Sequence, residues 1–325
     1  MKKALICGIS GQDGAYLAEF LLNKGYFVYG TSRDVQVSPF NNLKYLNIID
    51  KCQLVSMALT DFRSVLETIT KIEPDEIYNL AGQTSVALSF QQPVETLESI
   101  TLGTLNLLEV IRFTGMPIKF YNAGSSECFG DTGGCPADEY TPFHPRSPYA
   151  VAKAAAFWEV SNYREAYNLF ASSGILFNHE SPLRHERFVT KKIISSACRI
   201  ARGNKEYLQL GNLDIQRDWG WAPEYVEAMW LILQQKDPQD IVIATGKTHS
   251  LEEFVKAAFS AVKLDWRAYV VKKNSLLRPT DLMVSSANPS KAINTLGWKA
   301  QFTMYEVVEM MICEEMKRHY DGNKL

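Results

Sequence analysis

The sequence predicts an α/β protein built on a doubly wound parallel sheet, with a smaller C-terminal lobe interleaved with the last strands of that sheet. Buried strands and amphipathic helices alternate through the first half of the chain, as expected when helices cover both faces of a parallel sheet. A glycine-rich turn follows the first strand, where such sheets bind phosphate groups. The alternation loosens after Phe177, but Ile241 to Ala244 still reads as a buried strand of the sheet.

Length and charge limit the kinds of protein that this chain can be. It has 325 residues, about twice a typical domain, and a formal net charge of −2 with acids and bases interspersed. No basic face is indicated, so no nucleic-acid partner is expected. The apolar runs are too short for a signal or membrane segment, and the six scattered cysteines predict neither a metal site nor disulfides. We therefore expect a cytoplasmic protein with no membrane partner.

The first strand and the turn after it form the predicted coenzyme site. Ala4 to Cys7 is apolar on both faces and leads into Gly-Ile-Ser-Gly-Gln-Asp-Gly, followed by a helical pattern. Gly8 would allow the tight turn, Gly11 would let a diphosphate approach the backbone, and Gly14 would let the helix pack closely on the strand. The GxxGxxG spacing is a weak signal by itself, and its position between strand and helix strengthens it.

The residues after the second strand bear on which dinucleotide is expected. That strand is predicted over Tyr26 to Gly30 and is followed by Thr31 to Asp34. An acidic residue at this place binds the ribose hydroxyl of NAD, whereas an arginine suits the 2′-phosphate of NADP. Arg33 favours NADP, and Asp34 leaves NAD open. The alternative for Arg33 is an exposed loop residue.

Further strands and helices complete the predicted sheet, and small polar residues follow one strand end where ligands bind in such folds. That strand end is Ala81, and the residues are Gly82, Gln83 and Thr84. The predicted elements are strand Gln53 to Ala58, a helix from Asp61 to Ile72, strand Glu76 to Ala81, helix Val94 to Phe113 and strand Ile118 to Ala123.

The stretch from Phe120 to Lys153 carries the residues expected to do chemistry. Tyr149 and Lys153 are four residues apart and so share one helix face, where an ammonium group favours the phenolate form. That spacing also arises by chance, and Ser125 at the preceding strand end is what distinguishes this pair. Glu127 adds a carboxylate that can act as a general base. The competing interpretation is that Glu127 is a surface acid in a turn.

These motifs resemble those of a known enzyme family. The glycine turn together with Ser125 and Tyr149-x-x-x-Lys153 looks like the extended short-chain dehydrogenase/reductase superfamily. Longer segments, spread over nearly the whole chain, are similar to the GDP-mannose 4,6-dehydratase family. They are Gly8 to Leu17, Ser126-Glu127, Arg146 to Tyr149, Phe177 to Pro182, Arg217 to Gly220 and Glu224 to Trp230.

The resemblance implies both a domain organisation and a reaction. It implies a Rossmann-type dinucleotide-binding domain over residues 1–178, to which residues 215–245 return, and a mainly nucleotide-sugar-binding lobe over residues 179–325. The implied enzyme is a hydro-lyase that converts GDP-mannose to GDP-4-keto-6-deoxymannose. A ketone at C4 makes the C5 proton acidic, so loss of water across C5 and C6 needs a base, and Glu127 is suited to that role.

The resemblance also implies roles for individual residues. Tyr149 would be the acid/base at the sugar hydroxyl, Ser125 would hydrogen-bond the same oxygen, and Lys153 would hold the nicotinamide ribose. The implied coenzyme-binding residues are Gly8, Gly11, Gln12, Asp13, Gly14, Arg33, Leu80, Ala81, Gln83, Tyr149, Lys153, His179 and Arg184. The implied substrate-binding residues are Ser126, Asn178, Lys192, Arg217 and Arg278. Structural ion pairs are the alternative for the arginines, and a core histidine is the alternative for His179.

The chain departs from the family pattern in several loops. The segment after the second strand is short and has one arginine, Arg33, and Ala58-Leu59 stands where Asp-Leu is usual. Gly82 replaces an alanine, and Ser125 stands where threonine is commoner but keeps the hydroxyl. The catalytic set is therefore complete, while NADP and NAD both stay open.

Other functions stay open at this stage. A dehydratase of a related GDP-sugar such as GDP-manno-heptose would use the same residues with a roomier pocket at C6. A GDP-keto-sugar reductase or epimerase is disfavoured by Glu127. A non-catalytic NADP-binding sensor is disfavoured because Tyr149 and Lys153 are both present.

Two helices indicate how the chain assembles. Val94 to Phe113 and Tyr149 to Phe170 each carry apolar residues beyond the one stripe needed to cover a sheet. The excess predicts pairing with the same helices of a second subunit, hence a homodimer, with a tetramer as the alternative. Packing on the sheet alone is the competing interpretation.

Overall fold

The computed structural model describes residues 1–321. Residues 322–325 of the predicted second lobe lie outside the described part. Within the described residues, the predicted fold class is confirmed. The strands, numbered along the chain, are β1 (Lys3–Cys7), β2 (Phe27–Ser32), β3 (Gln53–Ser56), β4 (Glu76–Asn79), β5 (Lys119–Ser125), β6 (Ala171–Leu176), β7 (Asn178–Glu180), β8 (Leu208–Leu210), β9 (Gln216–Trp221), β10 (Ile241–Ile243), β11 (Thr248–Ser250), β12 (Val270–Lys272) and β13 (Val284–Ser285). The large sheet has the order β10-β6-β5-β4-β1-β2-β3, and all its neighbouring strands are parallel.

Helices cover both faces of the large sheet and build the smaller lobe. They are α1 (Gln12–Asn23), α2 (Asn41–Tyr45), α3 (Phe62–Ile72), α4 (Val86–Ser89), α5 (Pro93–Leu97), α6 (Gly103–Thr114), α7 (Pro148–Tyr167), α8 (Val189–Ala201), α9 (Ala222–Leu233), α10 (Leu251–Ala261) and α11 (Met304–Asp321). A π-helical turn, Glu98–Leu102, joins α5 to α6, so the helix predicted from Val94 to Phe113 is continuous. The polar sequence from Asp34 to Asn42 predicts a loop, and this prediction is wrong at its end, because α2 begins at Asn41.

The two faces of the sheet are packed by alternate residues of the same strands. In β1, Ile6 packs with α1 and α9, whereas its neighbour Leu5 packs with α3 and α6 on the other face. Both side chains are fully buried, as the apolar sequence of the strand predicts for a parallel sheet covered on both sides. Burying one such side chain contributes about 1.5–3 kcal/mol.

The smaller lobe is organised around β9. This strand pairs with β11 antiparallel and with β7 and β13 in parallel. Helices α8, α10 and α11 enclose a second core that includes Trp219, Phe254 and Val307. The chain crosses between the lobes more than once, because α9 packs on α1 and β10 forms an edge of the large sheet. Strands β7 and β9 of the smaller sheet line the space between the lobes through residues that include Asn178 and Arg217.

Among the described helices, none is both long enough and apolar enough to cross a membrane. The cysteines are unpaired, and Cys128 is buried in the turn that follows β5.

Candidate active site

A cavity of about 360 Å³ lies between the carboxyl ends of the large sheet and the smaller lobe. This is the place where ligands bind in open parallel sheets, because the strand order reverses there and the strand ends leave a crevice. The cavity brings together most of the side chains that the sequence singles out. They are Asp13, Leu80, Ser125, Ser126, Glu127, Tyr149, Lys153, Asn178, His179, Arg184, Lys192, Arg217 and Arg278.

The start of α7 places Tyr149 and Lys153 over the end of β5. Ser147 caps the helix by accepting a hydrogen bond from the Ala150 N–H at 3.1 Å, and a proline occupies the first turn. Tyr149 therefore lies in the first turn and Lys153 one turn later. The Lys153 ammonium donates to the carbonyl of Ala123 in β5 at 2.7 Å, and its Nζ lies 6.0 Å from the centre of the Tyr149 ring.

Burial controls the protonation of this pair. It lowers the pKa of Lys153 to about 8, against the opposing charges of Cys128 and Asp13. Burial also raises the pKa of Tyr149, while a hydrogen bond with Ser125 works in the other direction. The phenol is consequently neutral at neutral pH and can donate a proton. A positive charge close to it stabilises the phenolate and makes it a base.

Glu127 lies in the short turn that follows β5, two residues beyond Ser125. Its backbone N–H donates to the Ser125 hydroxyl at 3.3 Å, and its side chain lines the cavity. Burial raises the pKa of the carboxyl group, the positive charges of Arg217 and Arg278 lower it, and Asp281 raises it. The net rise makes Glu127 a stronger base than an exposed glutamate.

The glycine turn forms a cradle that side chains would fill. Gly8 has a φ of +85°, and a Cβ atom at Gly14 would lie 2.4 Å from the Gly8 oxygen. Gly11 is the N-cap of α1 and has no side chain, so no N-cap side chain accepts a hydrogen bond from the first N–H groups of the helix. This arrangement fits the diphosphate of a nicotinamide dinucleotide, which binds at such helix N-termini.

The remaining residues predicted for the coenzyme lie outside the cavity lining. Ala81 packs directly over Gly8, where a Cβ would approach its backbone to 3.0 Å. The amide of Gln83 donates within its own loop to the Ser85 oxygen at 2.8 Å. Arg33 is 85% exposed at the end of β2 and lies 3.6 Å from Glu95. The lining does not include Gly8, Gly11, Gln12, Gly14, Arg33, Ala81 or Gln83.

The side chains of His179 and Arg184 lie where β7 passes α1. His179 Nε2 is 2.9 Å from Asp13 Oδ2, and the ring is buried. Arg184 Nε is 3.2 Å from Glu180 Oε2, and its guanidinium stacks 3.9 Å from the centre of the Phe188 ring. These contacts place the imidazole of His179 and the guanidinium of Arg184 on the cavity wall beside the glycine turn.

The cations of the smaller lobe are held on the opposite wall. Arg217 is buried in β9, where its Nη1 donates to the Leu282 oxygen at 2.9 Å and its Nη2 lies 3.2 Å from Asp281. Arg278 Nη1 lies 3.5 Å from the same carboxylate. The Lys192 ammonium donates to the Gln209 carbonyl at 2.7 Å. Both arginines are thus paired with Asp281 while lining the cavity.

Sequence reasoning did not find Asp281, although it holds both arginines. It lies three residues after Arg278, but in a segment without helical structure, so this spacing did not predict the pair. Thr84, which the sequence already places among the small polar residues after a strand end, also lines the cavity, whereas Ser85, Val86 and Ala87 at the start of α4 carried no comparable signal.

The fold and the site define the class of the protein. A parallel sheet with a glycine turn after β1, a serine at the end of β5 and a Tyr-x-x-x-Lys pair on the next helix define an NAD(P)-binding enzyme of the extended short-chain dehydrogenase/reductase type.

Comparison with known proteins identifies the family within this class. A family model described as GDP-mannose 4,6 dehydratase matches residues 5–311. Over 328 residues the chain is 48% identical to GDP-mannose 4,6 dehydratase 2 of Arabidopsis thaliana, covering 97% of this chain and 87% of the relative. It is 41% identical to GDP-mannose 4,6-dehydratase of Vibrio cholerae over 353 residues, covering 97% of this chain and 94% of the relative. The chain belongs to the GDP-mannose 4,6-dehydratase family.

Solved structures share the fold at lower identity. A dTDP-glucose 4,6-dehydratase from Streptomyces venezuelae, solved with NAD, superposes with a TM-score of 0.87 at 19% identity and 98% coverage of both chains. RMD from Pseudomonas aeruginosa, solved with NADPH, gives a TM-score of 0.79 at 21% identity, again with 98% coverage of both chains. Relatives of this fold are thus solved with either dinucleotide.

Proposed function

We propose that this chain dehydrates GDP-mannose to GDP-4-keto-6-deoxymannose and water. The observation that carries the proposal is Glu127, a partly buried carboxylate in the same cavity as Tyr149 and Lys153. A simple reductase needs the tyrosine and lysine but has no use for a second base. Family membership and the arginines on the opposite wall support a nucleotide-sugar as the substrate.

Tyr149 would act at the C4 hydroxyl of the sugar. A nicotinamide coenzyme held at the glycine turn would supply the acceptor for the C4 hydride and the donor that restores it at C6. The phenolate of Tyr149 takes the hydroxyl proton of C4 as the ketone forms, with Lys153 stabilising the phenolate. Ser125 hydrogen-bonds with the phenol and is placed to hold the same sugar oxygen. The proton taken from the C4 hydroxyl balances the proton needed at C5 when the sugar is reduced at C6.

Glu127 would carry out the loss of water. The C4 ketone acidifies the C5 proton, and the carboxylate of Glu127 removes it. The same proton is then given to the departing C6 hydroxyl, which leaves as water. One carboxyl group can serve both steps because it is ionised for the first and protonated for the second. Its raised pKa suits it to both roles.

Arg217 and Arg278 would bind the diphosphate of the substrate. Their guanidinium groups line the wall opposite the catalytic residues, and among the described residues each is within ion-pair distance of one carboxylate, that of Asp281. A guanidinium fork matches phosphate oxygens well. Ser126, Asn178 and Lys192 line the same space and would complete the substrate contacts.

NADP is the coenzyme that we propose. Arg33 follows β2, where an arginine suits the 2′-phosphate, and its side chain is exposed enough to reach a ligand. Its ion pair with Glu95 is exposed and therefore weak. Binding constants for NADPH and NADH, measured side by side, test this assignment, and tighter binding of NADH would contradict it.

We also propose that the chain forms a homodimer through α5, the π-helical turn, α6 and α7. Apolar side chains on this surface are exposed in the single chain, including Val94, Leu97, Val151 and Trp158. These side chains lie on α5 and α7, which pack together, and exposed apolar groups on neighbouring helices are typical of an interaction site. A gel-filtration mass of one chain would contradict the dimer.

The function is tested by incubating the purified protein with GDP-mannose and NADP. Mass spectrometry should show a nucleotide-sugar lighter by one water, with no net consumption of coenzyme. Bound coenzyme without any such product would contradict the proposed substrate. Relative turnover of GDP-mannose and GDP-manno-heptose then separates the two sugars.

A further inference from the structure

His179 has both ring nitrogens next to hydrogen-bond acceptors. Its Nδ1 lies 2.7 Å from the Phe177 carbonyl oxygen, and its Nε2 lies 2.9 Å from Asp13 Oδ2. A carbonyl oxygen only accepts hydrogen bonds, and so does an ionised carboxylate. Both ring nitrogens must therefore carry hydrogen, which makes the ring an imidazolium cation.

The surroundings of His179 support this charge. The ring stacks on Tyr225, with centres 4.5 Å apart and planes at 24°, and an aromatic face attracts a cation. Burial and the positive charge of Arg184 lower the pKa of His179, whereas the charge and hydrogen bond of Asp13 raise it, and the net change is a rise. Lys153 and Tyr121 also face the Asp13 carboxylate.

A second link joins the same two segments. Gln12, next to Asp13 in the first turn of α1, donates to the His179 carbonyl oxygen at 3.2 Å. Its amide oxygen accepts from the Ser181 hydroxyl at 2.7 Å, and its amide nitrogen donates to Asp13 Oδ1 at 2.9 Å. Neighbouring residues of α1 thus hold β7 through one charged contact and one neutral contact.

We propose that Asp13 and the imidazolium of His179 form a charged clasp that fixes the coenzyme-binding turn of α1 against β7, the strand that brings Asn178 into the cavity. The two are positioning residues, because they act by holding the glycine turn and the substrate wall in one fixed arrangement. The effect on turnover rests on the proposed function, whereas the clasp itself does not.

The clasp depends on pH in a direction that follows from its charges. It is complete while His179 is protonated and weakens as pH rises through the raised pKa of that ring. Affinity for NADPH should therefore fall toward alkaline pH. Replacing Asp13 with Asn removes the charge that keeps the ring protonated, so burial then favours the neutral ring at neutral pH.

The charge state is tested on the wild-type protein without substrate. The histidines are labelled with ¹⁵N, and the His179 signals are assigned by their loss in H179N or by replacing the other four histidines one at a time. The result expected is a doubly protonated ring at neutral pH, which D13N converts to a neutral ring. A neutral His179 in the wild-type protein would overturn the proposal, whatever the substrate.

The coupling is tested by titrating NADPH into D13N, H179N and the double variant. Each single change should weaken binding by about 10-fold or more, since each breaks a charge-assisted hydrogen bond. The double variant should bind NADPH no more weakly than the single variant with the lower affinity, because each single change removes the same contact. H249N is the matched control, since His249 lies 3.7 Å from Glu253 away from the glycine turn. Additive losses, or unchanged NADPH binding in D13N, would overturn the clasp.

Discussion

The two walls of the cavity hold their functional groups in different ways. On the sheet wall, Tyr149 and Lys153 project from a capped helix over the end of β5, and Lys153 is fixed by a backbone carbonyl. On the lobe wall, Arg217 and Arg278 share the carboxylate of Asp281, which a ligand phosphate can replace as their partner. The chemistry is thus built on backbone geometry, whereas substrate binding depends on exchangeable ion pairs.

This difference separates the effects that substitutions should have. Changes on the sheet wall should reduce turnover and leave substrate affinity nearly intact. Changes on the lobe wall should reduce affinity first. Glu127 lies on the sheet wall but feels the charges of the lobe wall, so its pKa connects the two.

The largest effect is expected for Tyr149→Phe. The change removes the phenol oxygen and keeps the ring, so kcat should fall by about 10²–10⁴ while NADPH binding is retained. Steady-state turnover of GDP-mannose measures this loss. Tyr163→Phe, on the same helix and hydrogen-bonded to Glu109, is the matched control. Retention of near wild-type kcat in Y149F would remove Tyr149 from the mechanism.

Arg217→Gln should act mainly on KM. Loss of one charged hydrogen-bond donor to the diphosphate should raise KM for GDP-mannose by about 10- to 100-fold, with a smaller change in kcat. The KM of Arg217→Lys should lie between those of the wild-type protein and R217Q, because lysine keeps the charge but lacks the forked guanidinium group. Arg267→Gln, an exposed arginine paired with Asp265, is the control. An unchanged KM in R217Q would contradict the claim that the lobe wall governs substrate affinity.

A smaller effect is expected for Asp281→Asn. The arginines keep their charge but lose the carboxylate that orients both of them, so KM should rise only several-fold. Calorimetric titration of GDP into the variant measures the loss of nucleotide affinity without catalysis. A loss as large as that of R217Q would mean that Asp281 is essential for placing the arginines.

The smallest effect is a pair of opposite shifts in the pH profile of kcat. Glu127 must be ionised to act as a base, so kcat falls as pH drops through its raised pKa. Arg217 lowers that pKa, so R217Q should move the acidic limb to higher pH. Asp281 raises it, so D281N should move the limb to lower pH. Shifts in the same direction would show that Glu127 does not govern this limb.

The sequence predicted those parts of the molecule that depend on local patterns. The parallel sheet followed from apolar strands alternating with helices, and the shared face of Tyr149 and Lys153 on α7 followed from their four-residue spacing. The functional residues on the sheet wall follow closely on a strand end or lie in the first two turns of a helix, so their approximate position could be predicted from the sequence pattern.

Contacts between distant segments could not be predicted in this way. Asp13 and His179 are far apart in the chain, and only the return of β7 past α1 brings them together. The pairing of Arg217 with Asp281 likewise depends on β13 lying beside β9. Gln83 was predicted just after a strand ending at Ala81, whereas β4 ends at Asn79, and the turn of its amide into its own loop depends on local packing.

The most direct test of the account is the product formed by Glu127→Gln. The variant keeps the size of the side chain and removes the base, so it should bind NADPH and GDP-mannose as the wild-type protein does. Mass spectrometry should then detect no dehydrated nucleotide-sugar above about 1% of the wild-type yield, in keeping with the 10²–10⁴-fold contribution of a positioned base. Undiminished formation of a product lighter by one water would contradict the role of Glu127, and with it the distinction from a simple reductase.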